Sequence, residues 1–230
     1  MQPGPSTRPR VRWGLGDFAI AELCGLVGTV VAASFVVDAQ RPVRLIALLV
    51  AQSAAVIGYL VWVARAKGVG SLSADFGFVV RITDVAWFFV GIGLQLVALI
   101  PTQLLVEAHG EAAKQDVVKI ADRAQGLQIV LIILAVAVLA PVTEELLFRG
   151  LLLRGLLRRM EPGPAVFLAA VIFGAIHAVG DPSVGTLIAL PAIIVLGLIS
   201  GIQAVRTGEL SRSILLHMGF NALTVVALFA

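Results

Sequence analysis

Pro141-Val142-Thr143-Glu144-Glu145-Leu146-Leu147-Phe148-Arg149 sets two adjacent carboxylates in a run otherwise suited to lipid. Leu127 to Ala140 leads into it and Leu146 to Leu157 leads out, both almost wholly apolar. A charge at the bilayer centre costs at least ~2.5–3.5 kcal/mol on insertion scales, so such residues mark functional sites by default. Two of the three histidines, His177 and His217, also fall inside apolar runs. These groups are expected to meet in one site within the membrane.

The rest of the chain agrees with a membrane setting. It has 230 residues, 59% hydrophobic and 13% charged, with mean hydropathy +1.01, against roughly 45–50% apolar and 25% charged in soluble domains. No alternating pattern of the barrel type is present. The expected fold is all-α, a polytopic membrane helix bundle of about seven transmembrane helices. A span needs ~20 mainly apolar residues. The candidates are Phe18–Val37, Arg44–Ala64, Val85–Leu105, Leu127–Phe148 (running on toward Arg159), Pro164–Val179, Val184–Val205 and Ser213–Ala230, with Pro191 kinking the sixth. The first run resembles a secretory signal in outline. Asp17 and Glu22 interrupt it, and a retained first helix is the preferred reading.

Charge in the loops orients the bundle. With the N-terminus in the cytoplasm, twelve of the 17 Lys and Arg fall on the inner side, as the positive-inside rule requires. Between the second and third spans, Ser73 is a candidate cap for a short interfacial helix. The outer segment 106–125 has the mixed charge of an amphipathic helix, with His109 on its surface. The single Cys24 excludes an intrachain disulfide and a thiolate zinc site. The basic balance reflects inner-side arginines; no aromatic-interleaved basic patch points to nucleic acid. No internal repeat of the transporter type is visible.

At 1.5 Å per residue, Glu144 lies ~22 Å from the inner end of its helix, His177 ~20 Å, His217 ~9 Å and Asn221 ~15 Å. Three helices thus deliver polar groups to overlapping levels. Glu145 and Arg149 are i,i+4 with the acid first, the favourable order for an ion pair. Glu144 lies about 100° round the helix, is the freer carboxylate, and is the better general base; the reverse assignment stays open. His217 and Asn221 are also i,i+4, and both are donors of the kind that stabilise an oxyanion. His177 facing a glutamate would activate a water between them. Ser211 and Ser213 read as cap residues rather than nucleophiles.

Glu144-Glu145-Leu-Leu-Phe-Arg149 resembles the EExxxR motif of the CPBP family, the CAAX prenyl endopeptidases and bacteriocin-processing enzymes also called the Abi family. Phe173-Gly-Ala-Ile-His177 resembles its FxxxH motif and His217-Met-Gly-Phe-Asn221 its HxxxN/D motif, in the right order. Asp75-Phe76-Gly77-Phe78 is similar to a weaker upstream motif. The resemblance implies an intramembrane endopeptidase. In it, Glu144 and His177 activate water, His217 and Asn221 form the oxyanion hole, and Glu145, Arg149 and Phe173 support the site. The resemblance covers roughly Ser71 to the C-terminus; the chain as a whole is expected to divide into a cytoplasmic tail over 1–17, transmembrane helices and an interfacial loop over 18–84, and a catalytic bundle over 85–230. The expected setting is a bacterial cytoplasmic membrane, the substrate a membrane-embedded peptide or protein, and the cofactor none.

Three alternatives stay open. Glu144, His177 and His217 match a two-His-one-carboxylate zinc set, although HExxH is absent. A non-catalytic membrane scaffold or bacteriocin self-immunity protein belongs to the same family. Buried carboxylate and imidazole also suit a proton-coupled transporter. Oligomeric state is not written in the sequence.

Overall fold

The computed structural model describes residues 11–109, 124–227 and 229. The fold is all-helical, with no strand among the described residues. In chain order the helices are α1 (Leu15–Phe35), α2 (Arg41–Lys67), the short α3 (Leu72–Phe76), α4 (Ala86–His109), α5 (Leu127–Leu157), α6 (Pro162–Gly180), α7 (Val184–Thr207) and α8 (Ser211–Ala227). Six of them are long and apolar enough to cross a membrane: α1, α2, α4 with the turn before it, α5, α6 and α7. Among the described residues, the last of the seven expected spans, α8, extends over 17 residues and is not one of these six. It carries Arg212, His217 and Asn221, because this helix supplies site groups as well as length. Most of the expected outer segment 106–125 lies outside the described residues, as does the side chain of His109.

α5 is the central element. Leu146 to Leu153 are all buried. Around it α1 packs on α2, α6 on α7, and α4 on α8. The outward faces are apolar, with Leu23, Leu26, Val27, Val30 and Val31 exposed along α1. In lipid such side chains gain nothing by burial against one another, so close backbone approach governs helix association. α4 and α8 meet in this way. A Cβ at Gly91 would collide with the Leu216 carbonyl, and one at Gly219 with the Phe88 carbonyl. These two glycines let α8 lie against α4 and so fix where His217 points.

Charged residues in the first helices are paired. Asp17 accepts from Lys67 and from Tyr59 on α2, which explains how a carboxylate interrupts an otherwise apolar helix. Asp75 is buried and accepts from the Trp13 indole at 3.0 Å and from the Val69 and Ser71 amides. The Trp13 ring lies 5.2 Å from the Phe76 ring, and the Arg158 guanidinium lies 4.1 Å from the Trp13 ring centre. Gly77 closes α3 in the left-handed region at φ 74°, where a side chain would be strained and would meet Arg154. The cap of α3 is Ser71, whose hydroxyl accepts from the Ala74 amide, and not Ser73. Extended backbone at Ser71 allows that geometry, whereas Ser73 already lies inside the helix.

Pro191 lies within α7 and Pro101 within α4, and both helices continue through them. Ser211 and Ser213 have structural partners: the Ser211 hydroxyl accepts from the Arg81 amide, and that of Ser213 donates to the Leu210 carbonyl.

Candidate functional site

The carboxylates sit on an irregular helix. α5 is π-helical over Ala135–Leu139, returns to α geometry over Ala140–Glu145, and is π-helical again over Leu146–Leu153. Pro141 has no N–H and crowds the carbonyl four residues back. A wider π turn immediately before it relieves that conflict, and π segments recur at functional sites. The pair Glu144-Glu145 therefore ends one α-helical turn between two widened ones. Thr143 ties the same turn down by donating to the Leu139 carbonyl at 2.8 Å.

Glu145 points inward. It is completely buried, and Arg149, one turn later, donates to its Oε1 at 2.9 Å. The same guanidinium donates to the Gly197 carbonyl at 3.2 Å and lies 4.4 Å from the centre of the Phe173 ring. Arg149 thereby joins α5 to α6 and α7. His217 Nδ1 lies 3.0 Å from Glu145 Oε1, the atom that Arg149 also meets. A carboxylate paired with an arginine accepts, so His217 Nδ1 carries a hydrogen and Nε2 points away from Glu145.

Glu144 points to the more open side. Its side chain is 27% exposed and that of His177 33%, whereas His217 is 2% exposed. Glu144 Oε2 lies 3.6 Å from His217 Nε2 and 3.9 Å from His177 Nε2. Both separations exceed a hydrogen bond, and Oε2 is buried with no hydrogen-bond partner. The tautomer of His177 follows from its other nitrogen. Nδ1 is 2.9 Å from the Phe173 carbonyl, which can only accept, so Nδ1 carries the hydrogen and Nε2 presents a lone pair. Glu144 Oε2 and His177 Nε2 are thus two acceptors facing each other across 3.9 Å.

Phe173 is the packing hub. It is fully buried, and its ring lies 4.5 Å from the His177 ring, 5.7 Å from the His217 ring and 5.0 Å from the Phe148 ring. Phe148 in turn meets Phe18 of α1 at 5.4 Å. Asn221 stands one turn beyond His217 and donates to the Val136 carbonyl in the first π segment at 3.0 Å. An amide nitrogen has two hydrogens, so that bond leaves one.

The fold thus brings Glu144, Glu145, Arg149, Phe173, His177 and His217 into one cluster, with Asn221 anchored beside it. Helix-rise arithmetic placed His217 about 13 Å shallower than Glu144, yet their side chains are 3.6 Å apart. The start of α8 is sunk into the protein, with Leu210, Ser211 and Ser213 buried and the Leu210 amide bonded to the Gly77 carbonyl. Counting from the helix start therefore did not count from the surface. Among the described residues, no three or more His, Cys, Asp and Glu side chains are grouped to hold a metal ion.

One residue escaped the sequence reading. Glu22 of α1 lies within electrostatic reach of Glu144, and its Oε1 is buried with no hydrogen-bond partner. The available signal was its position one helical turn after Phe18 in an otherwise apolar helix.

Comparison with known proteins covers this region. Residues 126–223 match the family model of the type II CAAX prenyl endopeptidase Rce1-like proteins. That range holds Glu144, Glu145, Arg149, Phe173, His177, His217 and Asn221, and excludes α1 to α4. An Escherichia coli protein named "Uncharacterized 24.3 kDa protein" is 28% identical over 171 residues, 74% of this chain and 72% of that protein. No solved structure matches. Residues 126–223, less than half of this chain, are thus similar to the Rce1-like type II CAAX prenyl endopeptidases, and the six long apolar helices fit a multi-pass membrane protein.

Proposed function

We propose that the protein is an intramembrane endopeptidase that cleaves a membrane-embedded peptide or protein with a water activated by Glu144 and His177. One observation carries this reading. Two acceptors, Glu144 Oε2 and His177 Nε2, face each other at 3.9 Å with the His177 tautomer fixed by Phe173. A water donating one hydrogen to each satisfies both and turns its lone pair outward, which is the geometry of a general-base attack. The water oxygen bonds to the scissile carbonyl carbon as Glu144 takes a proton. The C–N bond then breaks as that proton passes to the leaving amine.

The carbonyl oxygen gains negative charge in the intermediate, and donors are needed there. Glu145 holds His217 at Nδ1 and turns the other edge of its ring toward this oxygen, and Asn221 supplies its second amide hydrogen. Glu145 orients His217, as the third member of a catalytic triad orients its histidine, and Arg149 offsets the charge of Glu145. No metal enters this scheme. The N-terminus lies in the cytoplasm, and the membrane is the bacterial cytoplasmic one.

The test is quantitative proteomics of host membranes carrying wild type, Glu144→Ala or His177→Ala at equal expression. The expected result is one membrane precursor that accumulates uncleaved with both variants. No changed peptide, together with a phenotype on full deletion, would replace catalysis by the scaffold or immunity reading.

A further inference from the structure

Glu22 stands opposite Glu144 because of helix register. α1 runs antiparallel to α5. A Cβ at Gly155 would press on Leu15, and Phe18 stacks on Phe148 at 5.4 Å. One turn further along α1 comes Glu22, and one turn back along α5 comes Glu144. That register carries the Glu22 and Glu144 positions to the same level of the α1–α5 contact, and the two groups interact electrostatically. The opposite side of α1 is taken up by α2, with Gly25 and Gly28 against Val56, Ala51 and Ala55.

Two other acids of these helices have hydrogen-bonded partners. Asp17 is bound by Lys67 and Tyr59, and Glu145 by Arg149 and His217. Glu22 has none: no cation among the described residues pairs with it, and its Oε1 is buried. From its own helix the nearest charged group is Asp17, already neutralised. From α2 the groups on this side are Tyr59 and Lys67, both turned to Asp17. From α5 the facing group is Glu144, behind which lie His177 and His217.

We propose that Glu22 is a positioning residue for Glu144: its protonated carboxyl donates a hydrogen bond to the Glu144 oxygen that does not face the imidazoles. Two carboxyls facing each other in a water-poor site hold one proton between them more readily than two negative charges. With one Glu144 oxygen occupied in this way, Oε2 stays turned toward His177 and the water. Glu22 keeps its own proton throughout; the proton moved in the reaction passes from water to Glu144 to the leaving amine. This rests on the endopeptidase reading, and it adds a residue from outside the matched range 126–223. The first helix is then part of the reactive site.

Two measurements test it, one of which needs no substrate. Infrared difference spectra of the purified full chain in detergent at neutral pH, wild type minus Glu22→Gln, should show the C=O stretch of a protonated carboxyl with its deuterium shift in heavy water. Absence of that band overturns the proposal whether or not the protein is a protease. The second uses the cleavage assay on the precursor found above. Glu22→Ala should lower kcat by about tenfold to a hundredfold, the worth of a hydrogen bond to a charged group, with KM unchanged. Glu22→Gln, which still donates, should restore most of the rate. An Ala variant as active as wild type, or a Gln variant as poor as Ala, overturns it. If the infrared band is present while Glu144→Ala leaves every cleavage intact, it is the endopeptidase reading that has failed.

Discussion

Glu145 Oε1 receives both the Arg149 guanidinium at 2.9 Å and the His217 ring at 3.0 Å, so one buried oxygen joins α5 to α8 and fixes an imidazole. Removing one member of such a group leaves a buried charge without a partner, at a cost of about 3–5 kcal/mol. Glu145→Ala and Arg149→Ala should each lower thermal stability in detergent by that order and abolish activity. The double variant Glu145→Leu with Arg149→Met should recover much of the stability, because apolar replacements of a whole pair are often neutral. It should not recover activity, since His217 loses its orienting partner. A double variant as unstable as the singles would mean that packing around Phe173, rather than charge, sets the cost.

Glu144 should behave in the opposite way. It is partly exposed, and its Oε2 makes no hydrogen bond. Glu144→Gln removes a base while conserving shape, so the midpoint of thermal unfolding should move little. The rate should fall by about 10²–10⁴, the range for loss of general-base assistance. Equal loss of stability and activity in Glu144→Gln would make this residue a structural one.

The zinc alternative is separated by chelation. A zinc ion requires three protein ligands at about 2.0–2.2 Å and ties activity to its presence. Under the metal-free scheme, dialysis of the purified protein against a strong chelator leaves cleavage unchanged. Loss that added zinc restores would assign Glu144, His177 and His217 to a metal instead.

How far the sequence could be read depended on the kind of signal. Long apolar runs marked six helices to within a few residues, since hydropathy needs no tertiary information. The Glu145–Arg149 contact followed from i,i+4 spacing alone. The meeting of Glu144, His177 and His217 followed from polar groups on three apolar helices, but the depth of His217 did not. A helix start buried behind Leu210 and Ser211 looks the same in sequence as one at the surface. The π segments around Glu144 were also hidden, because Pro141 signals a disturbed helix without saying which way the backbone yields. Glu22 was read as an interruption of α1, and its partner across the bundle appears only once the α1–α5 register is known.

Glu209 offers a pH-dependent check on the loop that leads into α8. The Arg81 guanidinium bonds both of its oxygens, at 2.6 and 2.7 Å, and holds the Glu209 carboxyl below its ordinary value near 4.5. A carboxyl with a lowered value in the folded protein stabilises above its unfolded value, and that stabilisation is lost as pH falls through the folded one. Wild type should therefore be slightly more stable than Glu209→Gln at neutral pH, and the gap should close below about pH 4.5. The pair is open to solvent, so the difference will be small and reduced by salt. A gap that does not narrow as pH falls below 4.5 would point to packing rather than charge.

The α4–α8 crossing gives a test of how backbone approach reaches the site. Gly91 and Gly219 each leave room for a carbonyl of the other helix, Leu216 for the first and Phe88 for the second. Leu216 precedes His217, and Gly219 lies midway between His217 and Asn221. A methyl group at either glycine meets backbone atoms that no rotamer change can move, so the helices must separate. The His217 ring is held to Glu145 at 3.0 Å, and the Asn221 amide to Val136. A shift of about 1 Å in α8 therefore costs geometry that catalysis depends on steeply, of order 10² in rate. Gly219→Ala and Gly91→Ala should each lose activity while the protein remains helical by circular dichroism. Gly93→Ala, on the same helix with open space at its Cβ, should be nearly silent in both measurements. Equal effects at Gly91 and Gly93 would show that α4 does not set the position of α8.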